Sequence, residues 1–124
     1  MAGSWTGPTF HSGAVNGTAK TTHGVEYELT ADASAATIPE KSTTELSGAL
    51  VDCLVVFDGT TPPDSLTVKI EDSLGGEVMA ATVFSATGYA TPDNVQVFLP
   101  GPLNIVCTGN TTNSAIAKVI PIII

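Results

Sequence analysis

At 124 residues the chain has the length of a single domain, and 43% hydrophobic against 13% charged residues supplies a core and argues against extensive disorder. The net charge is −8, with four lysines and no arginine, so we expect no binding to nucleic acid or to an anionic membrane. No apolar stretch approaches the roughly 20 residues of a membrane span, and no secretory signal pattern follows Met1. We therefore expect synthesis in the cytoplasm.

Residues 1–24 are rich in Gly, Thr and Ser and show no sustained hydrophobic period. We predict that this segment is an extended N-terminal arm, and two interpretations of it stay open. The arm is either a loose terminus, as many domain ends are, or a segment that lies across a neighbouring subunit. In the second case Trp5 and Phe10 are candidate partner-binding residues, because aromatic side chains are typical anchors of interfaces.

Residues 25–124 are predicted to form one β-sandwich domain. The stretch 66–72 alternates apolar and polar residues without a break, as a strand with one buried face requires. Gly75 and Gly76 then provide a tight reversal into the next strand. Further strands are predicted at 25–32, 43–46, 49–57, 77–84, 94–99, 103–108 and 115–124. Seven or eight short strands with turns between them predict an all-β fold, an antiparallel sandwich or jelly roll.

Strand 49–57 carries a prediction about its two faces, because Asp52 marks the solvent side. Alternation then divides the apolar residues into an inward and an outward set, and the outward set indicates that the second face is also covered. The inward set is Val51, Cys53, Val55 and Phe57, and the outward set is Leu50, Leu54 and Val56.

The closing stretch 120–124 reads Ile-Pro-Ile-Ile-Ile. A free apolar, β-branched end would favour aggregation, so it either lies in its own sheet or pairs with a neighbouring molecule. We favour burial within the domain. Pro121 lacks a backbone donor, which argues against full pairing in a central strand.

The chain offers no pattern of catalytic side chains. His11 and His23 both lie in the predicted arm, away from Cys53 and Cys107, so no nucleophile and base come together. The two cysteines are expected as buried, reduced thiols, although a disulfide stays possible if their strands are neighbours. We expect no enzymatic activity, no cofactor and no metal site.

Acidic residues at the ends of the 66–80 hairpin are candidates for a calcium site, since Ca²⁺ binds carboxylate oxygens. The residues are Asp58, Asp64, Asp72 and Glu77. Turn and solvent-facing roles are the preferred interpretation for these carboxylates. Loop 85–93 follows the strand predicted at 77–84 and has Tyr89 at its centre. Tyr89 is the third candidate partner-binding residue.

A series of features runs from Gly48 to the end of the chain. An apolar strand opened by glycine is followed by a proline-containing loop, a strand ending in Asp72, a glycine turn and a short acidic-apolar strand. A Gly-Pro-Leu strand and a last β-branched strand follow. This order resembles a family of small virion proteins of tailed bacteriophages. The elements that carry it are 48–50, 61–68, 70–72, 75–79, 100–106 and 117–119.

The resemblance implies a structural protein of the virion, foremost a capsid decoration or cement protein on the outer head surface. Such a protein stabilises the head by bridging subunits of the major capsid protein, and we expect it to be a homo-oligomer. One alternative is a subunit associated with the tail, baseplate or fibre. Another, from a different class, is a carbohydrate-binding sandwich, for which Tyr89 is the one aromatic candidate in the predicted domain.

Overall fold

The computed structural model describes residues 3–14, 21–43, 49–90, 97–98 and 102–123. These residues form strands joined by turns, and no helix occurs among them. The strands are β1 (Ser4–Ala14), β2 (Thr21–Thr30), β3 (Lys41–Thr43), β4 (Ala49–Phe57), β5 (Leu66–Glu71), β6 (Glu77–Phe84), β7 (Gly88–Ala90), β8 (Val97–Phe98), β9 (Leu103–Thr108) and β10 (Ile116–Ile123). The predicted all-β class is confirmed, and β1 and β7 were not expected. Of the strands predicted at 43–46 and 94–99, residues 44–46, 94–96 and 99 lie outside the described residues.

Two antiparallel sheets pack face to face, as the sandwich prediction required. One sheet has six strands in the order β1-β2-β10-β4-β7, and β8 also pairs with β4. The other has four strands in the order β3-β9-β5-β6. The chain therefore crosses between sheets several times, and the last strand, β10, lies in the middle of the larger sheet.

The core between the sheets follows the period of two along each strand. In β5 the side chains of Leu66, Val68 and Ile70 are fully buried, and the residues between them are partly exposed. Strands β9 and β10 alternate in the same way. The largest fully buried side chains come from both sheets and are Tyr27, Leu29, Leu50, Leu66, Ile70, Met79, Leu103 and Ile105.

Strand β4 departs from the predicted alternation at one point. Ile122 of β10 pairs with Asp52, whereas Ile123 pairs with Leu50, so Val51 is an extra residue in a bulge. The bulge turns Leu50 inward, where it is fully buried, and the prediction that Leu50 faces outward was wrong. Val51 and Phe57 are only partly buried.

Residues 120–123, the part of the closing stretch that the structure describes, lie in the domain's own sheet, with Pro121 and Ile123 buried and Ile120 and Ile122 partly buried. Strand β10 pairs with β2 on one side and with β4 on the other. Its pairing with β2 is interrupted between Val119 and Ile122, and Pro121 lies in that interval. The missing amide hydrogen of Pro121 explains the interruption, because proline cannot donate to a ladder.

Of the predicted arm 1–24, the structure describes residues 3–14 and 21–24, and residues 4–14 and 21–24 lie in β1 and β2. Residues 4–14 pair with β2 along a hairpin, and the expected boundary between 24 and 25 falls inside β2. The hydrophobic period is lost because β1 is an edge strand with a bulge at residues 7 and 8. Gly7 has a φ of +112°, and a Cβ there would lie 2.7 Å from the carbonyl oxygen of Glu26, so the bulge requires glycine.

Candidate functional site

The three aromatic residues predicted to bind a partner lie in different surroundings. Trp5 is partly buried against the core, and its Nε1 donates a hydrogen bond of 2.7 Å to the carbonyl oxygen of Pro39. Phe10 on β1 is 65% exposed and Tyr89 is 63% exposed. Because β1 and β7 are the opposite edges of the six-stranded sheet, the structure does not bring Phe10 and Tyr89 together. Trp5 fastens the first strand to the domain.

Tyr89 is not at the centre of a loop, as the sequence predicted, but in the short strand β7. It pairs with Leu54 of β4, and its neighbours pair with Cys53 and Val55. The prediction failed because three residues are too few to show a period. Pairing with Leu54 places Tyr89 on the side of the sheet that points away from the core.

An apolar surface covers the middle of that side of the six-stranded sheet, and we call it the outer apolar face. Its residues alternate with buried ones along β4 and β10, and all but Tyr89 are partly buried. Cross-strand pairing joins Ile120 to Leu54, and Leu54 to Tyr89. Among the described residues no third layer packs over it. The face consists of Leu54, Val56, Tyr89, Ile116, Ile120 and Ile122.

Sequence patterns predicted only part of this surface. The outward positions of Leu54 and Val56 were predicted from Asp52, whereas the isoleucines of β10 were expected to be buried without assignment to a face. The available signal was the run of apolar residues at consecutive positions in β4 and β10. Such runs are typical of strands covered on both faces.

Charged side chains lie beside the outer apolar face and also on it, where Lys118 pairs with Val56 and Asp52 pairs with Ile122. Glu26 is flanked by two basic groups: its Oε1 lies 3.2 Å from Nε2 of His11, and its Oε2 lies 3.6 Å from Nζ of Lys118. Glu28 and Asp58 have no ion pair within 4.0 Å in the described part of the chain. The rim of the face is therefore negative in balance.

Asp58 follows β4 directly and accepts hydrogen bonds from two backbone amides of its own turn. Its Oδ2 lies 2.7 Å from the amide nitrogen of Thr61 and 2.9 Å from that of Thr60. These bonds lower the pKa of Asp58 below its ordinary value, Thr61 contributing most and the charge of Lys118 least. The carboxylate is ionised at neutral pH.

A cavity of about 190 Å³ opens beside Asp58 at one end of the outer apolar face. Its apolar lining residues include Val56 and Ile116 on the outer side of the sheet, and Phe57, whose side chain packs against the core. Glu28, Asp58 and Lys118 provide charged groups. The cavity thus combines an apolar lining with an excess of carboxylates.

The other carboxylates in turns and loops accept hydrogen bonds from neighbouring residues of the chain. Asp64 accepts bonds from the hydroxyl of Thr111 at 2.6 Å and from its amide at 2.8 Å, which lower the pKa of Asp64 to about 2. Amide and hydroxyl donors of Ser34, and the amide of Ala35, hold the pKa of Asp32 well below its usual range. Asp72 accepts bonds from two amides within its hairpin turn. No cluster of three or more His, Cys, Asp or Glu side chains suited to a metal ion occurs in the described ranges.

Cys53 and Cys107 face each other's sheet from β4 and β9, and both are free, buried thiols. Burial raises the pKa of the Cys53 thiol to about 12, and burial also raises the pKa of Cys107. Cys107 lines a second cavity, of about 220 Å³, together with residues 36–38 and 108–110. A thiol with so high a pKa holds almost no thiolate at neutral pH, so neither cysteine is an activated nucleophile.

The sequence matches no family model and no curated protein. The described residues also contain no helix long and apolar enough to cross a membrane. The residues and their surfaces are therefore the basis for a functional conclusion.

Proposed function

We propose that this protein is a structural component of a tailed-phage virion, foremost a capsid decoration protein that bridges subunits of the major capsid protein. The observation that carries the proposal is the outer apolar face. A sandwich with one apolar outer side has a surface suited to association with another protein. The order of features from Gly48 onward supports the phage setting by resemblance.

The rest of the described chain suits a binding protein better than a catalyst. The thiols are buried and His11 contacts Glu26. The carboxylates of Asp32 and Asp58 accept hydrogen bonds within their own turns, and that of Asp64 accepts them from Thr111. The acidic balance of the chain disfavours contact with packaged nucleic acid. Such a protein stabilises an assembly by shape and shared contacts, with many weak contacts adding to a firm attachment.

The number of copies in a purified virion tests this proposal. We expect quantitative mass spectrometry of particles that encode this chain to find on the order of hundreds of copies, as a symmetric head surface requires. A few dozen copies or fewer would assign the protein to the tail, baseplate or fibre instead. Absence from the particle would refute a virion role.

One observation favours a second candidate, a carbohydrate-binding module. Tyr89 is 63% exposed beside Leu54, and sugar rings commonly stack on exposed aromatic side chains. A glycan array measured with Tyr89→Phe and Tyr89→Ala tests this candidate, because Phe keeps the aromatic ring and Ala removes it. Loss of binding in both variants would not separate stacking from hydrogen bonding. Binding that survives Tyr89→Phe but not Tyr89→Ala would support the sugar-binding candidate over the structural one.

A further inference from the structure

The two outer surfaces of the sandwich differ in a way that the fold does not require. An antiparallel sheet with one face on the core normally presents polar side chains on the other. The four-stranded sheet presents Thr67, Lys69 and Glu71 along β5, and these polar residues separate the outward Val83 of β6 from the outward Val106 of β9. The six-stranded sheet instead presents the outer apolar face.

The centre of the outer apolar face is a patch of cross-strand neighbours, and on β10 the outward Lys118 separates Ile116 from Ile120. Ile120 pairs with Leu54, and Leu54 with Tyr89. Opposite Ile122 on β2 is Gly24, which leaves the neighbouring isoleucines uncovered by a side chain at that position. A Cβ at Gly24 would lie 3.1 Å from Cγ2 of Ile120. The patch therefore extends along β10 from the middle of the sheet.

The charges around the patch select the kind of partner. Lys118 is the one lysine among the residues that line the cavity, and it is already close to Glu26. Glu28 and Asp58 lie beside the same cavity without an ion pair within 4.0 Å in the described ranges. A second copy of this chain, with a net charge of −8, would bring like charges together. A basic partner would bring opposite charges together.

The cavity beside Asp58 fits one long basic side chain. The methylene groups of a lysine or arginine can lie against Val56 and Ile116, while the cationic end reaches the carboxylates of Glu28 and Asp58. Lysine and arginine side chains commonly bury their methylene groups against apolar surface while the charged group stays accessible to a partner. The apolar patch and the acidic cavity are continuous through Val56 and Ile116, which belong to both.

We propose that the outer apolar face docks a protein segment of alternating apolar side chains that ends in a lysine or arginine, with the basic side chain in the cavity beside Asp58. This inference rests on the proposed function as an assembly protein and names the chemistry of its partner. The alternation matches an extended segment, whose side chains at every second position point to one face.

A peptide titration of the full chain, followed by ¹H–¹⁵N NMR, tests the inference. The probe is acetyl-Ile-Thr-Ile-Thr-Lys-amide, and the matched control peptide has Glu in place of Lys. We expect saturable shifts of the amides of Leu54, Val56 and Ile120, with a Kd on the order of 1 mM, as is common for short peptides, and at least about fivefold weaker binding of the control.

Two variants and a matched control locate the contact. Ile120→Thr should abolish the shifts, and Glu28→Gln should weaken binding of the lysine peptide about threefold without changing binding of the control peptide. Val106→Thr, on the outer side of the four-stranded sheet, should leave both unchanged. Circular dichroism of each variant confirms that its fold is retained.

Several outcomes would overturn the inference. These are no saturable binding, equal binding of the two peptides, or shifts confined to the four-stranded sheet. Self-association in sedimentation that Ile120→Thr abolishes would assign the face to a second copy instead. Peptide binding by a protein absent from the virion would refute the proposed function and leave this inference standing, whereas presence in the virion without peptide binding would do the reverse.

Discussion

The outer sides of the two sheets are made of different residues although their inner sides are alike. Both inner sides are apolar, with Ile70 and Ile105 from one sheet and Leu29 and Val119 from the other fully buried. On the outer sides, Thr67 and Lys69 contrast with Leu54 and Ile120. Folding needs only the inner pattern, because the core is what holds a sandwich together. The apolar outer side is therefore the feature that calls for a functional explanation.

The largest expected effect is on the reaction rate of the two thiols, one on the inner side of each sheet. It tests whether the two inner sides are equally closed to a reagent. Cys53 and Cys107 are buried with raised pKa values, so each should react with a disulfide reagent at pH 8 on the order of 10³-fold more slowly in the folded than in the unfolded chain. Absorbance at 412 nm from Ellman's reagent measures the rate.

The number of thiols provides the control for that experiment. We expect two reactive thiols per chain in guanidinium without reductant, since both cysteines are free. An absence of thiols under those conditions would show a disulfide across the two sheets. Rapid reaction of the folded chain would show that the core is open to the reagent.

A pair of isoleucine substitutions separates the inner side from the outer side. Ile70→Ala removes a fully buried side chain and should lower the free energy of unfolding by about 2–5 kcal/mol. Ile120→Ala, on the outer apolar face, should lower it by less than about 1 kcal/mol. Denaturation in urea measures both. Equal losses would mean that the outer side is covered as the inner side is.

A glycine pair tests a turn of the four-stranded sheet. Gly75 has a φ of +86° in the hairpin between β5 and β6, so Gly75→Ala should cost about 1 kcal/mol of stability. Gly59 has no atom within 4 Å of a Cβ and no left-handed φ, so Gly59→Ala is the control and should change stability by less than about 0.5 kcal/mol. Urea denaturation again gives the values, and similar results for both variants would contradict the role of Gly75.

The smallest effect on stability is expected from Asp64, whose hydrogen bonds to Thr111 join the loop before β5 to the turn between β9 and β10. The pKa of Asp64 is about 2 in the folded chain and about 3.9 when unfolded. Because the folded value is the lower one, Asp64 stabilises the protein above about pH 4, and this contribution is lost as the pH falls towards 2. Asp64 is exposed, so the effect is small.

The thermal midpoint measured between pH 7 and pH 2 checks this expectation. Asp64→Asn should lower the midpoint at pH 7 and should reduce its fall below pH 4. Glu77→Gln, at an exposed position of β6, is the control and should leave the acid dependence unchanged. A fall below pH 4 that is the same in Asp64→Asn and in the unaltered chain would show that the bonds to Thr111 do not stabilise the fold.

Local patterns predicted most of the strands, since alternation and turn residues act over a few positions. They missed β1, where a bulge breaks the period, and β7, which is too short to have one. They also assigned Leu50 to the wrong face, because a bulge is defined by the pairing of two strands and leaves no mark in the sequence of one strand. Tyr89 was selected as an exposed aromatic, but its place beside Leu54 could not be predicted.

The sequence alone determined that this protein is an all-β sandwich with an apolar core, because apolar and polar residues alternate with a period of two along most strands. Only the tertiary structure decided that β10 lies between β2 and β4, and with it that Ile120, Leu54 and Tyr89 form one surface. The physical reason is that backbone pairing joins strands far apart in the chain. No local pattern specifies which strands become neighbours.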